Sequence, residues 1–254
     1  MEGNNDQNIV RLAWDSDHFG IEVGRIIFPE VDDAALSDYL RQAQVAGFDL
    51  VYWMTSDDRI PNGALLERFR GQLVDRKVTY AVSLASLCEP DSLVSSQFRI
   101  EEYPREPASL VLKSLSLDSG VYSRFRVDPR IPSHIFQDLY ETWIDRSTRR
   151  EIADTVLTAV MPDGTIVGLL TIAIVGQECQ IGLLSVDGSR RRIGIAKQLM
   201  NVGHRWIAAR AIERVSVVTQ GDNREACAFY ERCGYRMRDR KNIFHFWPQQ
   251  RLSL

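Results

Sequence analysis

The chain of 254 residues has no excess of positive charge: 31 lysines and arginines face 34 aspartates and glutamates, for a formal net charge of -3. Strong nucleic-acid binders carry a broad basic stripe, so no nucleic-acid partner is expected. Cysteine is scarce. Cys88, Cys179, Cys227 and Cys233 form no CxxC pair and no zinc pattern with the four histidines, which leaves buried thiols and no metal as the expectation. No apolar run is long enough to span a bilayer, and the opening "MEGNNDQNIV" lacks the basic-then-apolar order of a signal peptide. These absences point away from a membrane and toward the cytoplasm. There is no GxxxxGK[ST] to make a P-loop, no GxGxxG to support a Rossmann site, and no internal repeat or low-complexity tract.

What is present suits a packed core, with 44% hydrophobic and 26% charged residues at a length that allows one large or two small domains. The first half alternates. Residues 21–28 read as a strand, 32–47 as a helix with acidic capping residues and a stop at Gly47, and 48–54 as a short apolar strand. Residues 61–71 read as a helix between Pro61 and Gly71, and 73–84 as a further strand, so an α/β layer is expected. "WDSDHFG" reads as a structural turn closed by Trp14 and Phe19, and 86–120 as a linker or long surface loop rich in Pro, Ser and charge. A boundary near 118 divides the chain into residues 1–118 and 119–254.

The second half reads as strand 121–129, helix 131–150, strands 154–160 and 165–175 about the turn "MPDG", and strand 179–186. A helix from 195 follows, with Ile195, Leu199, Val202, Trp206 and Ala209 on one apolar face, then strand 214–220, helix 223–234 and strand 240–247. Between strand and helix lies "SRRRIGIA". A strand running through a glycine turn into a helix aims backbone N–H groups and the positive end of the helix dipole at one spot, where phosphate binds. Gly194 admits an anion to the backbone, Ala196 stays small, and Arg191 and Arg192 supply charge-assisted hydrogen bonds.

"RRIGIA", Arg191 to Ala196, fits the Gln/Arg-x-x-Gly-x-Gly/Ala signature of the GNAT superfamily of acyl-CoA-dependent N-acyltransferases, which the chain resembles over about residues 119–247. "NREACAFYERCGY", with Asn223, Tyr230, Gly234 and Tyr235, resembles that superfamily's second element. The resemblance implies a GNAT fold: a central mixed, mostly antiparallel twisted sheet flanked by helices, here with a smaller N-terminal α/β domain on the acceptor side. "WDSDHFG", "IGLLSV" and "VVTQGDN" are similar to members that acetylate the amine of dTDP-linked aminodeoxysugars.

The resemblance also implies acetyl-CoA as co-substrate. Backbone groups of Leu183, Leu184 and Val186 would hold the pantetheine arm, and amides around Arg192, Ile193, Gly194, Ile195 and Ala196 the pyrophosphate, with an exposed N–H serving the oxyanion. Tyr230 would give its proton to the leaving thiolate, since a phenol of pKa about 10 keeps that proton at neutral pH. Asn223 would bond the CoA arm or only cap its helix. His134, Glu141 and Asp145 lie on or near the helix bordering the acceptor, and none is singled out as base. A dTDP- or UDP-aminosugar acceptor and a possible homodimer are expected. A GNAT enzyme acting on another amine, such as a peptide N-terminus or a small metabolite, and a catalytically silent acyl-CoA sensor are the alternatives.

Overall fold

The computed structural model describes residues 8–87 and 97–249, which leaves Cys88 outside the described residues. Within these residues ten strands form one sheet in the order β1-β2-β3-β10-β4-β9-β8-β7-β6-β5. In chain order these are β1 (Ile9–Arg11), β2 (Val23–Ile26), β3 (Leu50–Ser56), β4 (Gln72–Ser83), β5 (Arg99–Glu102), β6 (Thr155–Val160), β7 (Ile166–Val175), β8 (Glu178–Val186), β9 (Arg214–Gln220) and β10 (Arg236–Phe246). Only β2–β3 and β8–β9 run parallel among the described strands. The expected mixed, mostly antiparallel sheet flanked by helices is therefore what the chain adopts.

Among the described residues eight α-helices cover the sheet: α1 (Ala13–Phe19), α2 (Asp33–Val45), α3 (Gly63–Arg68), α4 (Leu110–Ser119), α5 (Arg124–Val127), α6 (Ser133–Thr148), α7 (Ile195–Ala208) and α8 (Arg224–Arg232). Strand alternation sorts them into two layers. Trp53, Phe244 and Phe246 meet Leu36 and Leu65 of α2 and α3, while Tyr80, Val217 and Leu170 meet Leu199 and Tyr230 of α7 and α8. On the opposite face Tyr52 packs with Phe19, Phe125 and Leu139 of α1, α5 and α6, and Leu169 with Leu112 of α4. The last strand joins the two halves. β10 enters between β3 and β4, and β4 in turn pairs with β9.

Four local expectations change. Residues 86–120 hold β5 and the ten-residue helix α4, capped by the Ser109 side chain on Leu112 N. Residues 121–129 contain helix α5 where a strand was expected, because Ser123 Oγ accepts from Phe125 N and caps a turn. "WDSDHFG" is helix α1, closed by Gly20 in the left-handed region. The buried stripe of α7 is Ile195, Leu199, Met200, Gly203 and Ile207, with Val202 and Trp206 only half-buried and Ala209 exposed. Gly203 turns the helix: a Cβ there would lie 2.9 Å from Leu170 Cδ2, so its glycine face goes to the sheet. Trp206 instead carries the Arg210 guanidinium 3.4 Å above its ring.

Candidate active site

β8 and β9 pair only from Glu178↔Arg214 to Ile181↔Val217. Beyond that point β9 stays with β4 as far as Lys77↔Gln220, and β8 stays with β7 as far as Gly168↔Val186. The two strands diverge, leaving a wedge between residues 182–186 and 218–220. The orientation of the backbone along that wedge follows from two bonds. Leu183 N–H donates to Thr171 Oγ1 at 2.8 Å and Asp187 N–H to Val167 O at 2.9 Å, so both point toward β7. Alternation then turns the amides of Leu184 and Val186 toward the wedge. Of the three residues expected to hold the pantetheine arm, Leu183 has its N–H occupied and the other two have theirs free for a bound chain. The register slip between Leu170 and Ile172 sets this phase, and Gly182 permits it, since a Cβ there would meet Thr171 Oγ1 at 2.6 Å.

At the mouth of the wedge the chain makes a single 3₁₀ turn over Gly188–Arg190, capped by Asp187 on Ser189 N. Arg192 follows with φ 67° and Gly194 with φ 89°, before α7 starts at Ile195. Left-handed residues on either side of Ile193 curl successive amides into a concave nest at a helix N-terminus, which suits phosphate. None of the amides from Arg192 to Ala196 donates to a backbone carbonyl among the described residues. Arg190 to Gly194 are exposed, and Ala196 is half-buried behind them. Ile195 is different: its side chain is core, so only its backbone faces the nest. Arg191 bonds Val186 O at 3.4 Å and reaches Glu225 of α8 at 4.0 Å, which brings the two sequence motifs together.

Tyr230 lies on α8 with its ring among Tyr80, Phe229 and Tyr235, at the level where β8 and β9 part. It is 6% exposed, and its hydroxyl makes no hydrogen bond among the described residues. Burial pushes its pKa above that of a free phenol, so it holds its proton at any physiological pH. Asn223 caps α8, its Oδ1 accepting from Ala226 N at 3.1 Å, which leaves only its amide nitrogen for a ligand. The helix carboxylates have other work. Glu141 and Asp145 share a face of α6 and both grip Lys113 of α4, at 3.2 and 3.4 Å, while Asp145 also accepts from Ala108 N. His134 is exposed at the start of α6.

On the other face, beyond the last β4–β9 pair, lies a group that no sequence motif singles out. Asp75 of β4 is 9% exposed and makes no hydrogen bond or ion pair among the described residues, and its Oδ1 is fully buried without a partner. Burial raises its pKa to about 7, against the fields of Arg124 and Lys77, which lower it. The Arg124 guanidinium stacks 4.0 Å above Tyr52 and 4.5 Å from the Phe125 ring centre. Tyr52 is fixed in turn by its hydroxyl on Asp15 Oδ1 at 3.2 Å and by its ring on His245 at 4.8 Å. "WDSDHFG" thus supports this corner, through Asp15 under Tyr52 and Phe19 edge-on to Phe125 at 5.7 Å. Below it, Asp128 is fully buried, and despite burial, bonds from His245, Arg130 and Trp247 hold it well under the usual carboxylate range. His245 stays neutral, burial lowering its pKa to about 4. A charged triplet in the middle of an alternating strand, "DRK" in "LVDRKVTYAV", is the one signal in the sequence that marks Asp75.

A wedge between parallel strands with an amide nest at its mouth is open to an extended chain that carries a phosphate. Residues 122–235, a little under half the chain, match the Acetyltransferase (GNAT) family. The sheet as a whole has the fold of solved GNAT acetyltransferases. A functionally unknown conserved protein from Staphylococcus epidermidis ATCC 12228 superposes with a TM-score of 0.66 at 16% identity, over 97% of this chain and 94% of that one. A GCN5-related N-acetyltransferase from Sphaerobacter thermophilus gives 0.60 at 17% identity, over 97% and 78%. In sequence, mycothiol acetyltransferase of Clavibacter michiganensis subsp. michiganensis (strain NCPPB 382) is 29% identical over 101 residues, which is 36% of this chain and 33% of that protein. The chain thus spans about a third of the length of that curated relative. No described helix is long and apolar enough to cross a membrane.

Proposed function

We propose that the protein transfers an acetyl group from acetyl-CoA to an amine, and that the acceptor is a nucleotide-linked aminodeoxysugar. The observation that carries the reading is the wedge between β8 and β9, with the Arg192–Ala196 nest at its mouth and a protonated, unbonded Tyr230 hydroxyl beside it. Acetyl-CoA supplies the acyl group already activated as a thioester. The chain contributes position and charge. Amides of residues 192–196 take the pyrophosphate, with Arg191 and Arg192 adding charge-assisted bonds. The Leu184 and Val186 edge pairs with the pantetheine arm like an added strand, and the same edge offers an N–H where negative charge develops on the carbonyl oxygen. Tyr230 gives its proton to the departing sulfur.

The choice of acceptor rests on the likeness of "WDSDHFG", "IGLLSV" and "VVTQGDN" to dTDP-fucosamine acetyltransferase, and on the layer α1, α5 and α6, which packs on the face of the sheet opposite α8 and would close over the acceptor. An extended peptide would need an open groove there.

The test is thiol release from acetyl-CoA with a panel of dTDP- and UDP-aminosugars, peptides and small amines, on wild type and Tyr230→Phe. Expected is turnover on a sugar nucleotide, with kcat lowered about 100-fold or more by Tyr230→Phe and acetyl-CoA affinity unchanged. Turnover on peptides alone would defeat the acceptor class. Tight acetyl-CoA binding with no turnover on any amine would favour a sensor.

A further inference from the structure

The base is the missing part of this machinery. Glu141 and Asp145 clamp α4 through Lys113, Glu231 accepts from Tyr80 at 2.8 Å, and Glu225 and Asp222 are exposed beside Arg191 and Arg76. Asp75 differs from all of them in being buried and unpaired.

Its location matters as much as its state. β4 runs antiparallel to β9 and pairs with it up to Lys77↔Gln220; there Gly221 N–H bonds Arg76 O at 2.7 Å and the chain turns off toward α8. The next residue of β4 on the Lys77 face is Asp75, just past the end of β9, at the end of the sheet where the wedge opens. That face carries α5 and α6, opposite to α8 and Tyr230. An amine and a thiol that meet at a wedge through the sheet have one such group for each side.

A buried carboxylate without hydrogen bonds is costly unless a ligand completes it. The nearby cations do not. Arg124 is held back on the Tyr52 and Phe125 rings, and neither it nor Lys77 comes within 4.0 Å of a carboxylate oxygen among the described residues. Asp15 and His245, which lock Tyr52, keep that separation in place. The charge the corner lacks is a small cation with N–H donors directed at Asp75, and an alkylammonium supplies it.

We propose that Asp75 receives the acceptor's ammonium group and is the general base of the reaction. This rests on the acetyl-transfer reading above. The step is one proton: the N–H bond of R–NH₃⁺ breaks, its electron pair stays on nitrogen to give the neutral nucleophile R–NH₂, and the proton bonds to the Asp75 carboxylate, which later releases it to water. The groups whose charges reach Asp75 are Lys77 on its own strand, Arg124 of α5 and Asp222 before α8, with Tyr140 of α6 uncharged beside them. A carboxyl of pKa about 7 is matched to this exchange at neutral pH.

Two readouts test it. Carbon-13 NMR of the aspartate carboxyls in the full chain, assigned by difference with Asp75→Asn, reads the titration directly; a midpoint near 7 is expected, and one below 5 overturns the proposal. Initial rates against pH, using the panel amine that wild type acetylates best, should fall below a limb near pH 7. Asp75→Asn should lose that limb and about 100- to 1000-fold in kcat/KM at pH 7, less at high pH where the amine is already neutral, with acetyl-CoA affinity unchanged. Asp75→Glu should recover part of the rate. An active wild type with an equally active Asp75→Asn and the same limb sinks the base and spares the acetyltransferase. A wild type silent on every amine overturns both.

Discussion

Asp75 forgoes every hydrogen bond a carboxylate ordinarily makes, so it must weaken the fold that holds it, and the pH dependence of that weakening has a definite sign. Its folded pKa of about 7 lies above the 3.8 of a solvated aspartate. Below pH 4 both folded and unfolded chains carry the neutral acid, and its ionisation contributes nothing to stability. Between pH 4 and 7 the unfolded chain ionises while the folded one keeps its proton, so stability falls across that window and levels off above it. The full difference would correspond to about 4 kcal/mol, an upper bound. Asp75→Asn removes it. We expect the variant to melt several degrees above wild type at pH 8 and at the same temperature as wild type at pH 4, by calorimetry at both pH values. A gain at neutral pH together with lost activity is what a functional residue held at a cost to stability produces. A variant less stable than wild type at pH 8 would mean that Asp75 has a structural partner instead.

At the scale of the element, the nest before α7 is separable from the strain that builds it. Gly194 sits at φ 89° with nothing within 4 Å of the position a Cβ would take, and Gly164 in the β6–β7 turn has φ 88° and equally open surroundings. Alanine at either position costs about 1 kcal/mol through the backbone alone. Only Gly194 lies among the amides proposed to take the pyrophosphate. Gly194→Ala should therefore weaken acetyl-CoA about 10-fold or more by isothermal titration, while Gly164→Ala loses similar stability and binds normally. Equal affinities would put the phosphate elsewhere. This is also the scale at which the sequence is most readable. The strand, glycine turn and amphipathic helix from 179 to 208 follow from periodicity and local caps, and so does α8, because Asn223 caps it and Gly234 follows it. Residues 86–120 and 121–129 mislead for an equally local reason. The serines that read as linker punctuation in the first and as part of a strand in the second are N-caps, Ser109 for α4 and Ser123 for α5. Asp75 is illegible in the sequence because its meaning depends on Arg124, Tyr52 and the end of β9, none of them near it along the chain.

Across the whole molecule, the path of β10 decides how the two halves depend on each other. Residues 236–246 follow the stretch matched by the GNAT family and cross to the far half, where Ile243↔Met54 and Lys241↔Lys77 place them between β3 and β4. No period or cap in the sequence could report that insertion, since an apolar strand reads the same in any slot of a sheet. Its consequence is mechanical: the carboxylate of β4 and the wedge beside β9 are held in register by a strand from the other end of the chain. Phe244 is 1% exposed, with its ring centre 5.7 Å from Trp53 and 6.2 Å from Phe246, so Phe244→Ala should cost about 3–5 kcal/mol. If the sheet is one cooperative unit, that loss reaches both ends of it. Hydrogen exchange in Phe244→Ala should then quicken in β6 and β7 as much as in β2 and β3, with one urea transition by fluorescence and circular dichroism. Exchange confined to residues 8–83 and β10 would show instead that residues 97–235 fold alone, and that the position of Asp75 against the wedge is set only when the two halves dock.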